Sequence, residues 1–124
     1  MNVIDSSAWI EYFGGAPNAK HFARVIEAPD LLLVPSITLL EVFKRVCQQR
    51  DEASALQCIA MMQESPVVDL DAALSLRAAA LGLRHKLLLA ESIVYATARQ
   101  ADALLWTQDP DFEHLPGVRF WRRA

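Results

Sequence analysis

Five apolar runs, each too short to make a helix, punctuate the chain at Asn2–Ile4, Leu31–Val34, Val67–Leu70, Ala103–Trp106 and Val118–Trp121. Each is bounded by Asp, Pro, Gly or Ser, residues that interrupt regular structure by favouring turns. The runs are continuous instead of alternating, the pattern of strands covered on both faces, as in a parallel sheet. Between them the period becomes helical. Leu39, Val42, Phe43, Val46 and Cys47 follow i, i+3, i+4, i+7, i+8, and so do Ala90, Ile93, Val94, Thr97 and Ala98. Leu56, Ile59, Ala60 and Gln63 mark another helix, and Asp71 reads as the N-cap of one that stops near Gly82. The runs starting at 31, 67 and 103 are 36 residues apart, a βα-unit spacing, but the segments between them are unlike one another, so this is no repeat array. The expectation is a single domain over residues 1–124 of the α/β class. Its architecture is three-layer α/β/α, with a mostly parallel sheet of about five strands.

Composition narrows the function classes. With 53% hydrophobic and 22% charged residues in 124, the chain can bury a core and is neither disordered nor fibrous. Twelve basic against fifteen acidic side chains give a formal charge of −3, so no strong basic field advertises nucleic acid, and any such partner needs a bound cation or a local patch. The longest uncharged stretch, Ala53–Gln63, is too short to span a bilayer. Asp5 and Glu11 stand where a secretory signal has basic residues. Cys47 and Cys58 fit no metal or redox spacing and read as reduced thiols. A cytoplasmic protein without a membrane partner is expected.

In open α/β sheets, ligands collect at the carboxyl ends of the strands. Asp5 directly follows the first run, Glu41 lies early in the helix after the second, and Asp109 follows the fourth. Glu91 opens the helix leading into the fourth, and Asp111 is a further acid nearby. Carboxylates gathered there repel unless protons or a cation compensate. Oxygen ligands suit a hard divalent ion such as Mg²⁺ or Mn²⁺. Each acid also has a purely structural reading. Asp5 caps a first helix that buries Ala8, Trp9 and Ile10. Glu41 completes a Thr38-x-x-Glu41 capping box and pairs with Lys44 or Arg45. Glu91 is a solvated first-turn acid, and Asp109 is an N-cap before Pro110.

Other chemistries find less support. His21, His85 and His114 show no ligand spacing, Ser6 and Ser7 lack a G-x-S-x-G setting, and Gly14-Gly15 lacks a following Lys-Ser/Thr. Arg84, His85 and Lys86, and separately Arg119, Arg122 and Arg123, read either as solvated surface or as contacts to a polyanion.

Four segments, in order, resemble the motifs of PIN-domain proteins, especially the VapC-type toxins of bacterial toxin–antitoxin pairs. They are Val3-Ile4-Asp5-Ser6-Ser7-Ala8-Trp9-Ile10, Pro35-Ser36-x-x-Leu39-x-Glu41-Val42, Leu89-Ala90-Glu91-Ser92-Ile93-Val94-Tyr95-Ala96-Thr97-Ala98 and Leu105-x-Thr107-x-Asp109-x-Asp111-Phe112. The resemblance covers essentially the whole chain. It departs at the third motif, where Asp is usual and this chain has Glu91, moving the carboxylate out by about 1.5 Å.

The resemblance implies an endoribonuclease dependent on Mg²⁺ (or Mn²⁺) that inhibits translation, leaving a 5′-phosphate and a 3′-hydroxyl. Asp5, Glu41, Glu91 and Asp109 would be its catalytic and metal-holding residues, with Ser6, Thr107 and Asp111 supporting them. It further implies an RNA substrate, a VapB-type antitoxin that wraps the toxin, and a homodimer. Trp9, Tyr12 and Phe13 would face the antitoxin, whereas Ile10 and Phe43 read as core. The alternative of another class is a catalytically degenerate PIN domain that only binds RNA or protein. A haloacid-dehalogenase-like phosphatase needs an Asp where Ser7 stands. A receiver domain needs an acid pair at the first strand and an Asp ending the third, and Asp69 lies inside an apolar run instead.

Overall fold

The computed structural model describes residues 1–124. Its strands are β1 (Asn2–Ile4), β2 (Leu32–Pro35), β3 (Val67–Val68), β4 (Leu104–Thr107) and β5 (Val118–Phe120). Its helices are α1 (Ser6–Phe13), α2 (Ala19–Ile26), α3 (Ser36–Gln49), α4 (Glu52–Met62), α5 (Ala72–His85) and α6 (Leu89–Gln100). The strands form one sheet in the order β3-β2-β1-β4-β5. Every pairing is parallel, with Asn2 beside both Leu32 and Leu104. The chain thus starts at the centre of the sheet, builds outward to one edge, then crosses back to build the other.

Successive strand residues point to opposite faces, and that parity creates three layers. Ile4, Leu32 and Val34 pack with Ala8, Trp9, Phe22, Val42, Val46 and Met62 from α1 to α4. Val3 and Leu105 face the other way, onto Val94, Tyr95 and Ala98 of α6 and Phe112, while α5 adds Leu74 and Ala78 against Ile93 and Ala96. The edge strands β3 and β5 are more open than the central three.

Three local expectations are corrected. Helix α5 does not stop near Gly82. It runs to His85 and is capped by Lys86 in the left-handed conformation (φ 57°). Gly82 serves packing instead, because a Cβ there would strike Ser92 Oγ on α6. Thr38 is not an N-cap either. Pro35 occupies that place, extended as it leaves β2, and the Thr38 hydroxyl, inside the first turn, donates to the Pro35 carbonyl at 2.7 Å. No capping box therefore occupies Glu41. Finally, Asp69 and Leu70 lie beyond the two-residue β3 and are exposed.

Candidate functional site

The strand order reverses direction at β1 and β4, which lie side by side, so a crevice opens beyond their carboxyl ends. Asp5 enters it first. As the N-cap of α1 it accepts from the Ala8 N–H at 3.1 Å, and the Ser7 hydroxyl donates to its two oxygens at 2.9 and 3.0 Å. The capping and functional readings of Asp5 are compatible, since the cap fixes where the carboxylate points. Asp5 is only 4% exposed. Burial pushes its carboxyl up to about 7, against the opposing pull of Ser7, Ala8 and Thr107, and the nearby Asp109 charge adds to the rise.

Asp109 leaves β4 in the same manner. It caps the 3₁₀ turn Pro110–Phe112, accepts from the Asp111 N–H at 2.9 Å, and its own N–H donates to Thr107 Oγ1 at 2.9 Å. Thr107, fully buried, also lowers the Asp5 carboxyl, so one hydroxyl bears on both aspartates. Glu41 reaches the crevice from α3 and lines it together with Ser6. Its carboxyl is raised chiefly by burial, with the Asp109 charge contributing. It forms no ion pair with Lys44 or Arg45, because the only contact of that kind in the structure joins His114 to Glu113.

Glu91 is not the solvated acid that its position suggests. It is half-buried, accepts from the Leu88 N–H at 3.0 Å, and is pushed up to about 8. Burial is the main cause, and a proton on Glu91 is further held by hydrogen bonds toward Asp109 and Asp111. Carboxylate oxygens of Glu91, Asp109 and Asp111 all lie within 4.8 Å of one another. Asp5, Glu41, Glu91 and Asp109 together line a cleft of about 180 Å³, with Leu88, Val94 and Phe112 among its apolar walls. The tightest group therefore includes Asp111, expected only in a supporting place, while Asp5 and Glu41 stand on the same cleft outside that trio. Crowded carboxylates, with Asp5 and Glu91 pushed up toward neutral pH and hard oxygen donors only, match the needs of a divalent cation.

The sequence assigned Ser7 no supporting role at the site and left a polar network unseen. Buried Gln108, just past β4, donates to Glu11 Oε1 at 3.0 Å, and Asn18 Nδ2 donates to Gln108 Oε1 at 3.0 Å. This pins α1 and the start of α2 to the site edge of the sheet. Trp9 is corrected. At 1% exposed it belongs to the core and offers no surface to a partner. Tyr12 and Phe13 are half-buried, and the Tyr12 hydroxyl donates to Glu27 at 3.0 Å.

This parallel sheet between two helix layers, with an acidic cleft at its switch point, is a PIN fold. The PIN-domain family model matches residues 3–118, and the chain belongs to that family. No curated protein matches it in sequence. A toxin–antitoxin complex from Klebsiella pneumoniae contains a similar chain, 26% identical, with 96% of each chain covered and a TM-score of 0.79. VapC20 of Mycobacterium tuberculosis, described as a toxin cleaving the sarcin–ricin loop, superposes with a TM-score of 0.79 at 17% identity over 95% of this chain and 97% of that one. A DNA-bound VapBC from Salmonella typhimurium matches at 0.71 and 15%, covering 98% and 96%. The last two are likenesses of fold. No helix is long and apolar enough to cross a membrane.

Proposed function

We propose that this PIN domain is an endoribonuclease dependent on Mg²⁺ or Mn²⁺ and the toxin of a toxin–antitoxin pair, acting in the cytoplasm to inhibit translation. The observation that carries the reading is the convergence of Asp5, Glu41, Glu91 and Asp109, distant in sequence, on one cleft. Glu91, Asp109 and Asp111 would hold the cation from one side, and Asp5 and Glu41 from the other, directly or through water. When bound, the ion supplies neutralisation of phosphoryl charge and an acidified water. Ser7 and the Ala8 N–H hold Asp5 in place, Ser6 lines the cleft beside Glu41, and Thr107 fixes the turn that presents Asp109. Leu88, Val94 and Phe112 keep bulk water from one side of the cleft. Hydrolysis forms a phosphorus–oxygen bond to water and breaks the bond to O3′. The water's proton passes to a cleft carboxylate, and the departing oxygen takes one up, leaving 5′-phosphate and 3′-hydroxyl ends.

The likeness to a chain of a toxin–antitoxin complex supports a VapB-type antitoxin as partner, with Tyr12 and Phe13 offering it a half-exposed aromatic surface. A homodimer belongs to the same reading. The test is cleavage of cellular RNA by EDTA-stripped protein with and without Mn²⁺. Wild type is expected to cut only with metal. Asp5→Asn and Glu41→Gln are expected to fold cooperatively and not to cut. Cleavage by either variant at the wild-type rate would remove that residue from the mechanism, and an inert wild type would favour a domain that only binds.

A further inference from the structure

The acidic cleft is one end of a longer depression. Ser6 and Ser7 line the cleft and also an adjoining groove of about 490 Å³, which Arg45, Gln49 and Arg123 line as well. A further hollow of about 360 Å³ leads from Glu41 past Lys44 to Arg45. Neither Arg45 nor Arg123 has a carboxylate within ion-pairing distance. Glu11, the one acid in the groove, is already engaged by Gln108 Nε2 and by the Asn18 N–H at 2.9 Å.

Arg123 sits three residues beyond β5, yet the chain before it is clamped. The Trp121 N–H donates to the Thr107 carbonyl at 3.0 Å, and the indole stacks between Trp106 and His21, each centroid 5.2 Å away. Asn18 Nδ2 then donates to the Arg122 carbonyl at 3.0 Å. The network around Gln108 thus fixes both the site edge of the sheet and the basic tail, which brings Arg123 into the same groove as Arg45.

We propose that this groove binds the sugar–phosphate backbone of the RNA strand on one side of the cleaved phosphate, with Arg45 and Arg123 contacting successive phosphates. The inference rests on the ribonuclease reading and extends it. In a chain of formal charge −3, whose cleft repels polyanions without a cation, unpaired guanidiniums beside that cleft supply the local attraction that backbone binding requires. Only Ile10 and Ala16 are apolar among the lining residues, so the groove lacks the apolar pocket that anchors a protein partner and suits a polar strand better.

The experiment follows binding of a labelled single-stranded RNA dodecamer to the EDTA-stripped protein by fluorescence anisotropy across a salt series, with no cleavage to interfere. Arg45→Gln/Arg123→Gln is expected to bind about tenfold more weakly at low salt and to lower the log–log salt slope by about 1.4, or about 0.7 for each phosphate no longer neutralised. Arg77→Gln on α5, away from the groove, is expected to match wild type. The double variant should keep wild-type Mn²⁺ uptake, which shows that its cleft is intact. Unchanged RNA affinity and slope in the double variant would overturn the groove assignment and leave the groove to a protein partner, while metal-dependent cleavage by wild type would still stand. Loss of RNA binding in the double variant, beside a wild type that never cuts, would uphold the groove and overturn the ribonuclease reading. A wild type that binds no RNA at low salt would overturn both.

Discussion

Asp5→Asn should make the metal-free protein more stable at alkaline pH, because the wild-type carboxylate must be ionised while buried. The carboxyl is held up to about 7, against an ordinary value of 3.8, mainly by burial. At 1.36 kcal/mol per pH decade, the ionised form costs the folded state about 4 kcal/mol once the pH exceeds both values. The folded protein binds this proton more tightly than the unfolded chain. Between about pH 4 and pH 7 stability therefore falls as pH rises, and below about pH 4 the cost vanishes. Asparagine keeps an oxygen for the Ala8 N–H and is an equally good N-cap, but it disturbs the Ser7 hydroxyl's bonds to both oxygens, at a cost of about 1 kcal/mol. The expected net gain is about 2–3 kcal/mol at pH 8.5, with none at pH 4. Urea unfolding of both proteins in EDTA at the two pH values measures it. An Asn variant no more stable than wild type at pH 8.5, or equally favoured at both pH values, would refute the argument that desolvation governs this carboxylate.

Two further substitutions probe the support of the cleft. Thr107→Val removes the hydroxyl that receives the Asp109 N–H and lowers the Asp5 carboxyl, and is expected to weaken Mn²⁺ binding by about 10-fold, read by titration calorimetry, with little change in the far-UV spectrum. Gly82→Ala drives a methyl group into Ser92 and should destabilise the protein by about 1–2 kcal/mol in urea, despite alanine's better helix propensity, with Ser92→Ala restoring part of the stability.

The sheet was legible because each central strand is buried on both faces and so reads as a plain apolar run. The acids at its carboxyl edge followed from where such runs end. Asp5 and Asp109 show why capping and site readings were hard to separate: each is a real cap, and the cap is what aims the carboxylate. Thr38 misled because an S/T-x-x-E pattern does not say where a helix starts, and here the extended Pro35 moves the start to Ser36. Helix α2 was missed although Phe22, Val25 and Ile26 follow i, i+3, i+4, because so short a pattern is a weak signal by itself. It has only eight residues, with Lys20, His21 and Arg24 set among Phe22, Val25 and Ile26, and the last three find their place only against the sheet and α1. Gly82 looked like a helix end because its actual neighbour, Ser92, lies on the next helix. The Asn18–Gln108 hydrogen bond joins residues 90 positions apart and leaves no local signal. Glu91 was legible as an acid on the cleft, but its raised carboxyl comes first from burial and then from Asp109 and Asp111, all of which only the fold supplies.

The central claim is that the clustered carboxylates form a divalent-cation site, and the most direct measurement is the free Mn²⁺ signal in electron paramagnetic resonance. Mn²⁺ is titrated into EDTA-stripped, desalted wild type and into Asp109→Asn, the residue whose charge bears on Asp5, Glu41 and Glu91 alike. Saturable loss of the free-ion signal in wild type, with little or none in the variant, is the predicted result. An undiminished signal up to millimolar metal, or equal uptake by the two proteins, would contradict it.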